Sequence, residues 1–202
     1  HAVVDPEQIA CAIMEPITGE GGFLVPPKRY VTELYKMCHE HGIVFIADEI
    51  QTGFGRTGRL FASEHFGIQP DVMTMAKSLS NGFPLSAVTG RKEIMDSVQE
   101  GGFGGTFSGN PISCQAALAA VQFILDRNLP ERAEHIGNKI LRCFTDLKNK
   151  SPFVGDVRGL GAMRALEIVK DKKTKVHDKE RTKKIQKHAY EHGLLILTSG
   201  VY

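Results

Sequence analysis

Short apolar runs alternating with stretches of helical periodicity constrain this chain more than any other feature. ACAIMEP (10–16), IVFIADE (43–49), DVMTMAKS (71–78) and LSAVTG (85–90) read as strands. Between the first two, PKRYVTELYKMCHEHG (27–42) carries apolar residues at helical spacing and closes on glycine, which predicts a helix with its C-terminal cap. This alternation predicts an α/β fold with a mostly parallel sheet buried on both faces. In such sheets ligands collect beyond the carboxyl ends of the strands. Glu15, Asp48 and Lys77 all fall at or just past such ends, so the chemistry is expected there.

After GGFGGTFSGNP (101–111), helical patterns run over 112–127 and 130–150. SPFVGDVRGLG (151–161) reads as a connection into a second unit: a strand (162–169), a polar loop, a helix (179–192) and a strand (194–198). This pattern divides a large domain with its connecting helices, residues 1–150, from part of a small α+β domain, residues 151–202. KDKKTKVHDKERTKK (170–184) mixes both charge signs and reads as a solvated face. Arg158, with Gly159 and Gly161, reads as a conformational element of the second unit.

With 202 residues, 42% of them hydrophobic, the chain can bury the core of one large domain or one and a half. Its 25 Lys and Arg nearly balance 23 Asp and Glu, which gives no electrostatic case for nucleic acid or an anionic membrane surface. No apolar run reaches membrane-spanning length, and no signal-peptide pattern opens the chain. Cys11, Cys38, Cys114 and Cys143 are scattered without CxxC or metal-ligand spacing. They are expected as small core residues of a reduced, cytoplasmic protein with no metal site. His39 and His41 read as helix-end residues rather than ligands. Opening at His1 and closing in the strand-like LLILTSGVY, the sequence reads as a piece cut from a longer enzyme.

Lys77 follows the apolar run DVMTMA and precedes the loop SLSNGFP. A lysine held among apolar groups loses its proton more readily than the reference value of about 10.4 implies. Its free amine can then form a Schiff base with an aldehyde cofactor. Taken alone, a strand-end lysine is more often a snorkelling surface residue, and an aspartate such as Asp48 more often a helix or turn cap. The combination is rarer than either part. Pyridoxal phosphate needs an acid beside its pyridine nitrogen, because a carboxylate keeps that nitrogen protonated and makes the ring an electron sink. Asp48 and Lys77 lie one crossover apart, so they can occupy neighbouring strand ends. Glu49 reads as structural, holding the following turn or a nearby basic group.

FIADEIQTGFGRTG followed by PDVMTMAKSLSNGFPLSAVTG resembles the pyridoxal-phosphate attachment signature of the class III (omega) aminotransferases. MEPITGEGGFLVPP, GGTFSGNPISCQAALA and VGDVRGLGAM resemble the same family in order and spacing, so the likeness covers essentially the whole chain. One departure is Thr18, where glutamine is more usual. The nearest branch is that of the 4-aminobutyrate aminotransferases, with ornithine and acetylornithine aminotransferases and class III aminomutases next. The resemblance implies a fold type I pyridoxal-phosphate-dependent transferase that works as a homodimer with shared active sites. It implies an amino donor and a 2-oxo acid acceptor, probed most directly as 4-aminobutyrate and 2-oxoglutarate.

Carried over residue by residue, the resemblance implies that Lys77 binds the cofactor aldehyde and shuttles the proton, and that Asp48 pairs with the pyridine nitrogen. Ile50 packs on one face of the ring, and Gln51 hydrogen-bonds near the phenolic oxygen. Thr106 reaches the cofactor phosphate of the neighbouring subunit. Glu15 resembles the glutamate that pairs with an arginine guarding the substrate pocket, an arginine expected just beyond Tyr202. The family's glycine-serine phosphate loop, its stacking aromatic and its substrate-carboxylate arginine belong to an N-terminal half absent from this sequence. Residues 1–202 alone are therefore expected not to transaminate. A reading from another class is a non-catalytic aminotransferase-like regulatory domain, against which the joint retention of Lys77, Asp48 and Gln51 speaks.

Overall fold

The computed structural model describes residues 4–102 and 104–200; Phe103 of the GGFGGTF stretch and the terminal residues of the HAV and VY ends lie outside them. Strands β1 (Cys11–Met14), β2 (Val44–Asp48), β3 (Val72–Met75) and β4 (Ala87–Gly90) lie side by side in chain order. The first three run parallel, in the registers Ile13 to Ile46 and Asp48 to Thr74, and β4 pairs antiparallel with β3. Parallel neighbours need a long crossover. Helix α1 (Lys28–Glu40) supplies it between β1 and β2, and a glycine-rich turn with the single-turn helix α2 (Ser63–Phe66) supplies it between β2 and β3. Residues 76–86 are too few for a helical crossover, so β4 returns antiparallel.

Helix α1 presents Val31 and Cys38, seven apart and on one face, to Ile43, Phe45, Phe66 and Ile68. Fully burying each large side chain of this cluster stabilises the fold by roughly 1.5–3 kcal/mol. Burial, and then the charge of Asp71, push the Cys38 thiol above its ordinary pKa, as suits an inert core residue. The other cysteines depart from the core expectation: Cys114 is half-buried, while Cys11 and Cys143 are exposed.

Burial of the sheet on both faces is also corrected. Strand β2 alternates, with Phe45 and Ala47 buried between half-buried neighbours, and Ile13 of β1 and Val88 of β4 are more than half exposed. Helix α1 covers one face, whereas the second cluster, Phe54, Leu79, Ala117 and Ile124, gathers over the loops that follow β2 and β3. Ala12 and Met14 of β1 pack against the α1 cluster, while Ile13 on the opposite side is exposed.

A one-turn helix, α3 (Lys92–Met95), follows β4. Helix α4 (Pro111–Asp126) starts where Asn110 accepts hydrogen bonds from the Ile112 and Ser113 amides at 3.0 and 3.2 Å, with Pro111 in the first helical position. Helix α5 (Leu129–Lys150) leads to a hairpin of β5 (Val154–Leu160) and β6 (Met163–Ile168). The stretch 151–161, expected as a connection, is therefore largely strand. Its glycines lower intrinsic strand propensity, and pairing with β6 overrides that. The hairpin tip is wedged into the first unit. Ala162 donates its amide to the Arg56 carbonyl at 2.9 Å. Gly161, at φ +52°, leaves no room for a Cβ, which would lie 2.3 Å from the Thr57 carbonyl carbon. On its other side a Cβ on Gly137 of α5 would lie 1.7 Å from the Gly161 oxygen.

Helix α6 (Lys179–Glu191) is capped by Asp178, whose carboxylate accepts from the Arg181 amide at 3.0 Å. The strand expected at 194–198 does not form. Its leucines are unpaired by any described strand, with Leu195 and Leu197 largely in solvent. A β pattern without a ladder partner has nothing to satisfy its backbone.

Candidate active site

Strand β2 ends on two consecutive carboxylates in different situations. Glu49 is fully buried. One of its oxygens accepts from the Ser63 amide at 2.7 Å, and the other from the Ala62 amide at 3.0 Å and from the Thr52 hydroxyl. It closes the turn after β2 onto the start of α2, as the structural reading expects. Asp48 is only half-buried, and its Oδ1 accepts from the Ile50 amide and from the Thr74 hydroxyl, each at 3.1 Å. Its Oδ2 accepts from no described residue. A carboxylate with one oxygen anchored and one open is oriented and can still bind a donor.

Thr74 stands opposite Asp48 in the parallel ladder, and Lys77 follows three positions on. The strand ends at Met75, so Lys77 lies in a single 3-10 turn, Lys77–Leu79, rather than in β3 itself. Its φ of +47° is in the left-handed region, which is costly for a residue with a Cβ. The side chain is exposed, and its amine bonds to no described residue. Neighbouring groups hold the turn: Arg56 donates through Nε to the Ser78 hydroxyl at 3.1 Å, and the Ser80 hydroxyl donates to the Phe83 carbonyl.

The remaining expected residues are dispersed. Ile50 is half-buried directly after the carboxylate pair. The Gln51 amide donates to Glu20 at 3.1 Å, and its oxygen is buried without a partner. Glu15 accepts from the Gly19 amide at 2.7 Å, holding its own loop. Thr106 is exposed in the turn 105–108. Two cavities flank this region without including Lys77 or Asp48. One, of about 690 Å³, lies between Ser78, Ser80 and Phe83 and the facing sides of α4 and α5. The other, of about 510 Å³, is bordered by Glu20, Gln51 and Arg158. Among the described residues no group of three or more His, Cys, Asp and Glu side chains is placed to hold a metal ion, and no helix is long and apolar enough to cross a membrane.

Sequence reasoning missed Thr74 and the Arg56–Ser78 contact. For Thr74 the available signal was a lone hydroxyl inside the apolar run before Lys77. For Arg56 there was none, since its contact depends on how the loop after β2 folds back.

Residues 2–202 match the family described as aminotransferase class-III. The chain belongs to that family. It is similar to a probable 4-aminobutyrate aminotransferase of Bacillus subtilis, 51% identical over 200 residues, which cover 99% of this chain and 46% of that protein. A 5-aminovalerate aminotransferase of Pseudomonas aeruginosa is 45% identical, over 98% of this chain and 46% of its own length. This class III chain thus spans about half the length of the curated relatives it matches.

Among solved structures, an amine transaminase from an uncultivated Pseudomonas species in its pyridoxal-phosphate-bound form superposes with a TM-score of 0.90 at 36% identity, covering 96% of this chain and 46% of that one. The ornithine aminotransferase of Toxoplasma gondii gives 0.87 at 35% identity, covering 96% and 44%. These likenesses fix the chain as part of a fold type I aminotransferase.

Proposed function

We propose that the complete protein is a pyridoxal-phosphate-dependent aminotransferase that moves the terminal amino group of a linear ω-amino acid, 4-aminobutyrate in the first instance, to 2-oxoglutarate. The products are an aldehyde and glutamate. The observation that carries this reading lies at the carboxyl ends of the two central strands: a lysine amine bonded to no described residue, three positions past the register partner of a half-satisfied aspartate. The two named relatives act on ω-amino acids that differ by one methylene, which supports the donor class. A second donor, ornithine, is favoured by the likeness to the Toxoplasma enzyme.

The residues fit the cofactor's two distinctive groups, an amine for its aldehyde and, for its ring nitrogen, the open oxygen of a carboxylate anchored through the other. When bound, pyridoxal phosphate supplies the aldehyde that captures amines and the ring that takes up the electrons of a breaking C–H bond. Lys77 would hold the group through its amine, and that amine, when free, would take the proton from the substrate carbon and pass it on. Asp48 Oδ2 holds the proton at the ring nitrogen. The Thr74 hydroxyl and the Ile50 amide fix the orientation of the carboxylate. Ile50 would pack on one face of the ring, and Gln51 would hydrogen-bond near the phenolic oxygen. Thr106 belongs to the phosphate site of a second subunit in a homodimer, and Glu15 to the substrate pocket. The enzyme is cytoplasmic.

The test is to supply the complete protein with pyridoxal phosphate, 2-oxoglutarate and, in turn, 4-aminobutyrate, 5-aminovalerate and ornithine, and to measure glutamate. Glutamate from the linear ω-amino acids, with borohydride reduction fixing the cofactor on Lys77, is expected. No glutamate from any donor, or label on another lysine, overturns the reading.

A further inference from the structure

The loop Thr18–Leu24 is gripped from several sides. An antiparallel bridge closes it, with hydrogen bonds of 3.0 and 3.2 Å between Thr18 and Leu24. Glu15 holds the Gly19 amide from behind, and the Gly200 amide donates to the Glu20 carbonyl at 2.7 Å. From strand β5, Arg158 donates through Nε to the Gly22 carbonyl at 2.7 Å. Its side chain is 14% exposed, and its charge is met by Glu167 at 2.6 Å and Asp156 at 3.5 Å. With two carboxylates already neutralising it, the bond to Gly22 adds direction rather than charge balance, and a charged donor makes it a strong one.

Beneath the loop lies Gln51. A carboxylate only accepts, so the Glu20 contact forces the Gln51 NH2 toward Glu20 and turns the amide oxygen the other way. Among the described residues that oxygen is buried without a donor, and it occupies the space a Cβ on residue 19 would fill, 1.3 Å from the position such an atom would take. An amide held with an unpaired buried oxygen is in an unfavourable state.

We propose that Arg158 is a positioning residue, which clamps the loop Thr18–Leu24 and through it sets the Gln51 amide. The consequence for turnover rests on the aminotransferase reading; the clamp itself does not. Arg158 thereby makes the orientation of a residue beside Asp48 depend on the docking of the β5–β6 hairpin.

The test uses the complete protein and two readouts. In the first, hydrogen exchange is followed by mass spectrometry over residues 18–24, whose Thr18, Gly22, Phe23 and Leu24 amides are bonded within the loop. Arg158→Gln is expected to raise exchange there on the order of tenfold, the scale of one charged hydrogen bond. Arg181→Gln, which alters the α6 cap in the same unit, is expected to leave it unchanged. In the second readout, kcat/KM is compared for Arg158→Gln, Gln51→Ala and the double variant. Arg158→Gln is expected to add no further loss on the Gln51→Ala background. Wild-type exchange in the Arg158 variant, or losses that multiply in the double variant, overturn the proposal. Should Arg158→Gln fail to fold, Arg158→Lys keeps the charge, lacks the forked donor and carries the same two readings. A wild-type protein with no aminotransfer overturns the proposed function, while the exchange readout still decides on the clamp.

Discussion

The two ends of strand β3 treat their charged groups in opposite ways. At the start, Asp71 is buried and used throughout: one oxygen accepts from the Phe45 amide at 2.8 Å, and the other from Arg91 at 3.0 Å with His39 at 3.5 Å. Its main chain bonds the Phe45 carbonyl and the Arg91 amide. Beyond the finish, Lys77 is exposed with an unengaged amine, and the neighbouring Asp48 keeps one oxygen open. A saturated carboxylate ties elements together, whereas a half-saturated one is held in place for something else to bind. Consecutive Asp48 and Glu49 repeat the contrast within two residues.

The contrast breaks or survives on separable losses of activity and stability. The largest effect is expected from Lys77→Ala in the complete enzyme, which should cut glutamate formation by roughly 10²–10⁴-fold or more with unchanged thermal unfolding. Unfolding at a lower temperature together with residual turnover would place Lys77 on the structural side. Asp48→Asn comes next: one charge-assisted hydrogen bond is worth roughly 1.5–3 kcal/mol, so kcat should fall about ten- to a hundredfold while circular dichroism stays native. Turnover within a few fold of wild type would make Asp48 a cap.

The saturated partner should fail the other way. Glu49→Ala leaves three buried donors unpaired and should destabilise by about 3 kcal/mol, read from denaturant midpoints, because each such donor costs roughly 1–3 kcal/mol before relaxation. Asp71→Ala should cost roughly 1–3 kcal/mol, the Arg91 share being discounted because that side chain is half in solvent.

The smallest effect concerns the hairpin. Burial raises the Asp156 pKa, but the Lys148 hydrogen bond, the Val157 amide and the charges of Lys148 and Arg158 outweigh it, leaving the group below its ordinary 3.8. A depressed carboxylate stabilises fully above its unfolded value and loses that contribution as pH falls through the folded one. Protection factors across residues 154–168, which correct for the intrinsic pH dependence of exchange, should therefore fall on acidification below 3.8, and Asp156→Asn should flatten that dependence.

What was legible in the sequence was local. The apolar runs marked β1 to β3, and placing Asp48 and Lys77 at strand ends required only the strand boundaries. The helical pattern over 112–127 matched α4 to within a residue at each end. Long-range pairing was not legible. The glycines of β5 hid a strand that exists because β6 lies beside it, and the leucines at 194–198 suggested one that has no neighbour. Exposure of Ile13 was equally hidden, since an apolar run reads the same whether or not a layer covers it. At the site, Gln51 was found but its tie to Glu20 was not, because the loop that brings them together closes across 31 positions.

The contact between Gly137, Gly161 and the Arg56–Gly58 backbone is made of main chain on every side. A joint of that kind recognises the shape of a peptide backbone, which every protein shares, rather than any particular side chain. At residues 137 and 161 a single added methyl collides, so the joint seats only chains that keep both glycines, whereas beyond it the hairpin is held through the Arg158 side chain.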